Sequence, residues 1–492
     1  MAQGGAVRTD RPVALLVSGL SLGILAQYLF VGEAPGIGFV VGIAAVLALD
    51  AAVRGSRPSI GAPTLFFTGA LIFAGLVAVR TDSALVAFDV AAALGLAFSG
   101  LLASRGIDVY RAHVGAIPAV VSLGLGALTT RLPSVYRVAL PAISGQARAR
   151  SSRAIPYASG IALAAPLLVV FVVLFSAADA VFQRSVRDML DIAWLREILP
   201  TLPQRLVVAF AVTWCATGAL AMGTAAPALS TAERRVRRLL GGEPVTVALV
   251  AVDLLFAAFV AFQLTYLFGG RDTLEASGIA YSAYARRGFF ELLGVATLVG
   301  AMLFTFDLLV RSRSRVYVGA AIVLVLLTGV VLASAATRMT LYQQAYGWTE
   351  LRLYAYAGIA FVAIVLALLA AAVMTHRMER VVGSLIGAML AVALGVNAIG
   401  PSGQVAAANI ERSLDTAPLA ENAVRELDLS YLVALGDGAI PAIVERLPAL
   451  PERERERIRG VLRTVSQTRR VPAGWSSWSW DRSRASELLA QQ

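Results

Sequence analysis

A chain of 492 residues that is 58% hydrophobic and 15% charged, with mean hydropathy +0.74, carries more apolar surface than a soluble core of that length can hide. All 42 basic residues are arginine against 31 acidic ones, yet the net charge of +11 comes with no zinc spacing and no aromatic-basic platform, which excludes a nucleic-acid partner. Cys215 is the only cysteine, so an intrachain disulfide and a cysteine-held cluster are excluded as well.

A helix needs about 20 apolar residues to cross a bilayer core of roughly 30 Å. Segments near that length fall at about 13–31, 36–53, 64–80, 84–102, 156–177, 206–223, 245–268, 288–310, 317–337, 352–375 and 381–399. The expected fold is therefore an all-α polytopic transmembrane helix bundle of about eleven spans, with the lipid bilayer as its partner. Arg8 and Arg11 precede the first segment as in a secretory signal, but a second apolar segment follows almost at once, so a retained first span is expected. A short twelfth candidate, Val114 to Thr129, is interrupted by Pro118, Gly124 and Gly126 and could span, re-enter or lie at the interface.

Arginine asymmetry arbitrates, because short cytoplasmic loops are enriched in basic residues. With the N-terminus inside and 114–129 not crossing, inner loops hold 20 arginines and outer loops 10; if 114–129 crosses, the split becomes 15 to 15. Eleven spans in a cell membrane are expected, with the tail outside. The tail carries 12 arginines and 12 acidic residues, so the whole positive excess belongs to the membrane part, where anionic lipid accounts for it.

Four units follow in order: spans in 1–102, a basic cytoplasmic segment in 103–155, a seven-span core in 156–399, and a helical C-terminal tail in 400–492. Between the fifth and sixth spans, Phe182, Val186, Met189 and Leu190 share one helical face, as in an amphipathic helix lying along a membrane. Gly288-Phe289-Phe290-Glu291-Leu292 and Gly347-Trp348-Thr349-Glu350-Leu351 open the eighth and tenth spans with the same Gly-aromatic-x-Glu-Leu pattern, each after a tyrosine-containing loop. The tail reads as about three short helices near 418–435, 439–447 and 452–467. Its closing Trp475-Ser476-Ser477-Trp478-Ser479-Trp480 is suited to dock on the tail or at the membrane interface.

An ionisable residue inside a span costs about 2.5–3.5 kcal/mol on insertion scales and invites an explanation. Asp307 and Asp50 have Arg311 and Arg54 one turn away and read as ion pairs, whereas Asp253 has no neighbour on its own helix to neutralise it; Asp89 lies in the fourth span. Glu291 and Glu350 stand in first turns, where the positive helix end favours a carboxylate. Arg287, Arg352, Asp179 and Asn397 fall at the same level. Glu291, Glu350, Arg287, Arg352, Asp179 and Asp253 are thus the candidates for an outward-facing vestibule or for a surface on which a domain docks. The chain has no Walker loop, no HExxH and no GxSxG in a strand-to-helix context, and its two histidines, His113 and His376, lack a second ligand in sequence. No metal, cofactor or catalytic residue is expected.

Phe175-Ser176-Ala177-Ala178-Asp179-Ala180-Val181-Phe182, Tyr284-Ala285-Arg286-Arg287-Gly288-Phe289-Phe290-Glu291-Leu292 and Tyr346-Gly347-Trp348-Thr349-Glu350-Leu351-Arg352-Leu353-Tyr354 resemble signature stretches of a bacterial membrane family known as domain of unknown function 4173, related to 4153. Asn409-Ile410-Glu411-Arg412, Leu427-Asp428-Leu429-Ser430-Tyr431-Leu432 and the Trp-Ser-Trp end extend the resemblance over roughly 156–485. It implies a polytopic inner-membrane protein and supplies no catalytic role. Two readings follow: a transporter, channel-like or sensor protein with an outward-facing polar vestibule, or a structural, envelope-assembly component whose charged outer face docks the tail. A membrane-embedded transferase using Glu291 or Asp179 as base is a lesser third.

Overall fold

The computed structural model describes residues 12–54, 61–104, 201–220, 242–267, 289–310, 312–377, 380–415, 427–469 and 474–491. The 114–129 segment, the 156–177 span and the amphipathic face at 182–190 lie outside them.

Ten apolar helices form the bundle among the described residues: α1 (Pro12–Phe30), α2 (Ile37–Arg54), α3 (Ala62–Val77), α4 (Ser83–Ala103), α5 (Leu202–Leu220), α6 (Gly242–Leu267), α7 (Phe289–Leu309), α8 (Arg315–Tyr346), α9 (Glu350–Thr375) and α10 (Val381–Ile399). Six of them, α1, α4, α6, α8, α9 and α10, are long and apolar enough to cross a membrane, and α2, α3, α5 and α7 contribute shorter apolar stretches. The protein is thus a multi-pass membrane protein, all-helical among the described residues. Large side chains such as Leu65, Leu254, Leu298 and Leu326 stay about two-thirds exposed or more, as residues facing lipid should.

Within lipid, helices associate through close packing, so small residues mark the seams. Gly19 and Gly23, four residues apart on α1, lie against α5: a methyl group added at either would fall within 2.0 Å of Thr217 Oγ1 or Thr213 Oγ1. A second seam joins α6 and α7 to α8 through Leu249, Leu303 and Leu324, all essentially buried. A third packs α2 and α3 on α4 through Phe73, Ala74 and Ala93.

The chain leaves α10 through Gly400, whose φ of +69° turns it directly into the tail. The tail comprises α11 (Pro401–Leu414), α12 (Leu429–Ala434), α13 (Ile440–Arg446), α14 (Glu452–Thr468) and α15 (Trp480–Leu489), with short 3-10 turns between. Two of these, α11 and α15, are not among the three helices the sequence suggests. The apolar spacing of α11 is masked by Gln404, Asn409 and Arg412, and α15 is only ten residues long. Val405, Ile410, Leu432, Ile443, Leu450, Ile458, Leu462 and Leu489 form the tail core, which is continuous with Leu85, Leu353 and Val396 of the spans. The tail is therefore packed onto one end of the bundle rather than tethered to it.

Replacing Gly23 by valine should destabilise the protein by about 1–3 kcal/mol or more through overpacking of the α1–α5 seam. Gly294→Ala, where an added methyl meets nothing within 4 Å, should stay within about 0.5 kcal/mol. Unfolding in detergent micelles, followed by circular dichroism, measures both.

Candidate functional site

The polar residues that matter gather where the tail meets the bundle, at the ends of α3, α4, α9 and α10. Arg80, just past α3, donates from Nε to the backbone carbonyl of Asn397 at 3.0 Å and pairs with Asp481 of the tail at 3.7 Å. Asp82 precedes the first residue of α4 without capping it through its side chain, which instead accepts from the backbone N–H of Ser402 in α11 at 3.2 Å. Two turns deeper on α4, Asp89 is wholly buried and accepts from Asn397 Nδ2 at 2.9 Å. From α9, Glu350 stands within electrostatic reach of Asp82, and Tyr354, one turn on, within reach of Asp82, Glu350 and Asp89. Four carboxyl groups thus gather at this junction, one of them paired with the Arg80 guanidinium, in a largely buried setting where an uncompensated charge is costly.

Local sequence explains how these groups are placed. Thr349 caps α9 by accepting from the backbone N–H of Arg352 at 3.3 Å, which puts Glu350 in the first turn. Gly347 ends α8 at a φ of +78°, and Asn409 of α11 clasps the turn, accepting from Trp348 N at 2.8 Å and donating to Trp348 O at 2.9 Å. Arg412 donates to the carbonyls of Gln344 and Ala345, satisfying the end of α8. Asp428 caps α12 and is held below the usual carboxylate range by hydrogen bonds from Ser430 and the backbone of Tyr431. That cap sets Tyr431, whose hydroxyl accepts from Glu350 N at 3.0 Å.

The Trp-Ser-Trp end makes the other half of the junction. Ile37 N donates to Trp478 O at 2.9 Å, and Trp480 N and Asp481 N donate to Ala78 O and Val79 O at 2.8 and 3.0 Å. The Ser477 hydroxyl donates to Glu33 and accepts from Ala34 N. Asp437 then ties the tail together through Arg469 at 2.8 Å and Arg482 at 3.9 Å.

Of the residues singled out in sequence, Glu350 joins this cluster. Arg352 stands beside it but serves the α8–α9 turn, donating to the Gly347 carbonyl and stacking over the Tyr342 ring at 4.3 Å. Asp253 lies midway along α6, one turn from fully buried Leu249 on the face packed against α8, with one carboxylate oxygen that has no protein partner. Its place is separate from the cluster. Glu291 falls in the first turn of α7, its side chain outside the described residues, as are Asp179 and Arg287. Asp307 pairs with Arg313 at 2.6 Å and Tyr317 at 3.3 Å, whereas Arg311, the partner expected from spacing, lies outside the described residues. Sequence reading missed Arg80, Asp82, Tyr354 and Asp481. The only signal was their level, since Arg80 and Asp82 sit in the short loop between two spans, on the side assigned to Glu350.

The family described as "Domain of unknown function (DUF4153)" matches residues 67–446, and the chain belongs to it. The match takes in every residue of the cluster except Asp481. No curated protein and no solved structure matches the chain.

Burial pushes the Asp481 carboxyl up to about 6 from 3.8, with Arg80 opposing and Asp82 reinforcing the shift. A raised carboxylic pKa means that the docked tail binds more protons than the free one, so the docking contributed by Asp481 is complete below about pH 4 and is lost as pH rises through about 6. Protection of tail amides from hydrogen exchange should therefore increase on acidification from pH 7 to pH 5, and Asp481→Asn should flatten that slope.

Proposed function

We propose that this member of a family of unknown function is a structural, envelope-side component of the cell membrane. Its helical tail is built into one end of the bundle as a permanent cap. In this reading the chain crosses the membrane eleven times with its N-terminus in the cytoplasm, and the cap lies outside. The carrying observation is the junction itself. One tail contributes backbone or side-chain hydrogen bonds to the ends of α2, α3, α4, α8 and α9, and its apolar core runs without a break into Leu85, Leu353 and Val396. A regulatory or transported domain would need a detachable, mostly polar interface, whereas this one is apolar at its centre and hydrogen-bonded at its rim, as permanent interfaces are.

A second reading, a transporter or sensor with a polar vestibule at this end, is favoured by one observation: Glu350, Asp82 and Asp89 bring more carboxyl groups together than docking requires. Deleting residues 401–492 separates the two. As a structural cap, its loss should lower the thermal midpoint of the remaining bundle by at least about 5 °C and leave it prone to aggregate, because Leu85, Leu353, Val396 and the Asp82 and Arg80 side chains lose their partners. An unchanged midpoint, measured by differential scanning fluorimetry in detergent, together with altered uptake or signalling in cells, would favour the vestibule instead.

A further inference from the structure

Among the described residues, five buried side-chain oxygens of the cluster have no hydrogen-bond partner: Asp82 Oδ2, Asp89 Oδ2, Asp481 Oδ2, Asn397 Oδ1 and the Tyr354 hydroxyl. Asp82, Asp89, Asp481 and Asn397 are between 0% and 6% exposed. Buried polar atoms in folded proteins find partners in roughly nine cases of ten or more. Five without one, in a single electrostatically connected group, call for positive charge or donors.

Counting charge locates the demand. Asp82 and Glu350 lie within electrostatic reach of each other, and neither is the ion-pair partner of Arg80. Arg80 pairs with Asp481 and spends two further N–H groups on the Asn397 carbonyl. Asp89 is then left inside the bundle with a neutral amide, Asn397 Nδ2, as its hydrogen-bonded partner and Arg80 within longer electrostatic reach. Lysine does not occur in the chain, so no side-chain ammonium can fill the role.

We propose that Asp89, Asn397 and Tyr354 bind one small monovalent inorganic cation of the sodium class at the seam of α4, α9 and α10. A carboxylate, an amide carbonyl and a phenol oxygen are hard ligands, and the Asn397 amide is fixed for the task because its nitrogen is already committed to Asp89 Oδ1 and to the Ala393 carbonyl. A divalent or transition metal suits the place less well. Asp89 is the one carboxylate among the three ligands and matches one positive charge, and among the described residues no three His, Cys, Asp or Glu side chains converge to hold a metal ion. All three ligands belong to the bundle, so the site stands whether the tail is a cap or a moving part. An apolar crevice of about 270 Å³, lined by Leu85, Phe88, Tyr354, Gly358, Met389 and Val396, lies beside it.

The test is the thermal midpoint of the full-length protein in nanodiscs at pH 8, in sodium, potassium or choline chloride at one ionic strength. Sodium or potassium should raise the midpoint over choline by about 4 °C or more, saturably. Asp89→Asn, which keeps the shape and removes the charge, should abolish that discrimination and make the protein more stable than the wild type in choline. Asn397→Ala should weaken the response, and Asp253→Asn should retain it. Equal midpoints in the three salts would overturn the proposal, as would an alkali-ion response that survives Asp89→Asn. Stabilisation by acid alone, with no preference among cations, would overturn it too and make the cluster a proton site.

Discussion

Arg80 is the interaction on which the tail-side end of the molecule depends. Its guanidinium lies between the end of α3, the last carbonyls of α10 and Asp481 of the tail. Asn397 O belongs to a helix C-terminus, where carbonyls lack partners of their own and carry the negative end of the helix dipole. A fixed planar cation with several donors satisfies that end and a carboxylate at once, which a single-point ammonium could not do. Gly400 must stand where it does because a methyl group there would fall within about 3.1 Å of the Arg80 side chain. The turn from membrane span to tail and the seat of the arginine are therefore one feature.

Around that contact the molecule uses different physics in two regions. Within the spans, where lipid offers no hydrophobic gain, cohesion comes from close approach at Gly19 and Gly23 and from interdigitated aliphatic side chains. In the tail, water is the alternative solvent, and a conventional apolar core assembles from five short helices, none of which would hold its shape alone. The two regions meet at Leu85, Leu353 and Val396, so the tail core is completed by the ends of the spans. A domain of this size gains stability by borrowing that surface.

Hydrogen bonding at the junction follows the same economy. The α8–α9 turn leaves helix-end groups that Asn409 and Arg412 satisfy from α11, and Tyr431 meets the first free N–H of α9. Ser477 and the backbone around Trp478 do likewise for the α1–α2 loop. Each contact pairs a group that a helix terminus must leave open with a donor or acceptor from elsewhere in the chain. The carboxyl cluster is the exception, since it holds more acceptors than the protein supplies donors, and excess of that kind belongs with a ligand rather than with packing.

The sequence by itself determined that this is a helical, multi-pass membrane protein and, for most of the described helices, where they begin and end to within a few residues, α8 running nine residues past the segment read from hydropathy. Those properties are local: length, hydropathy and the cost of an unpaired backbone in lipid act on each segment separately. It also singled out Glu350, because a carboxylate in the first turn of a helix can be read from spacing, whereas for Asp307 it named Arg311 and the structure supplies Arg313. What only the tertiary structure decided is which distant residues meet. Asp89 and Asn397 are 308 positions apart, Asp82 and Ser402 are 320, and no periodicity links them. Tail docking was one of two readings the sequence allowed, but the contacts that carry it were not legible, since Asn409, Arg412 and Ser477 look like ordinary solvated residues until a helix end is placed against them.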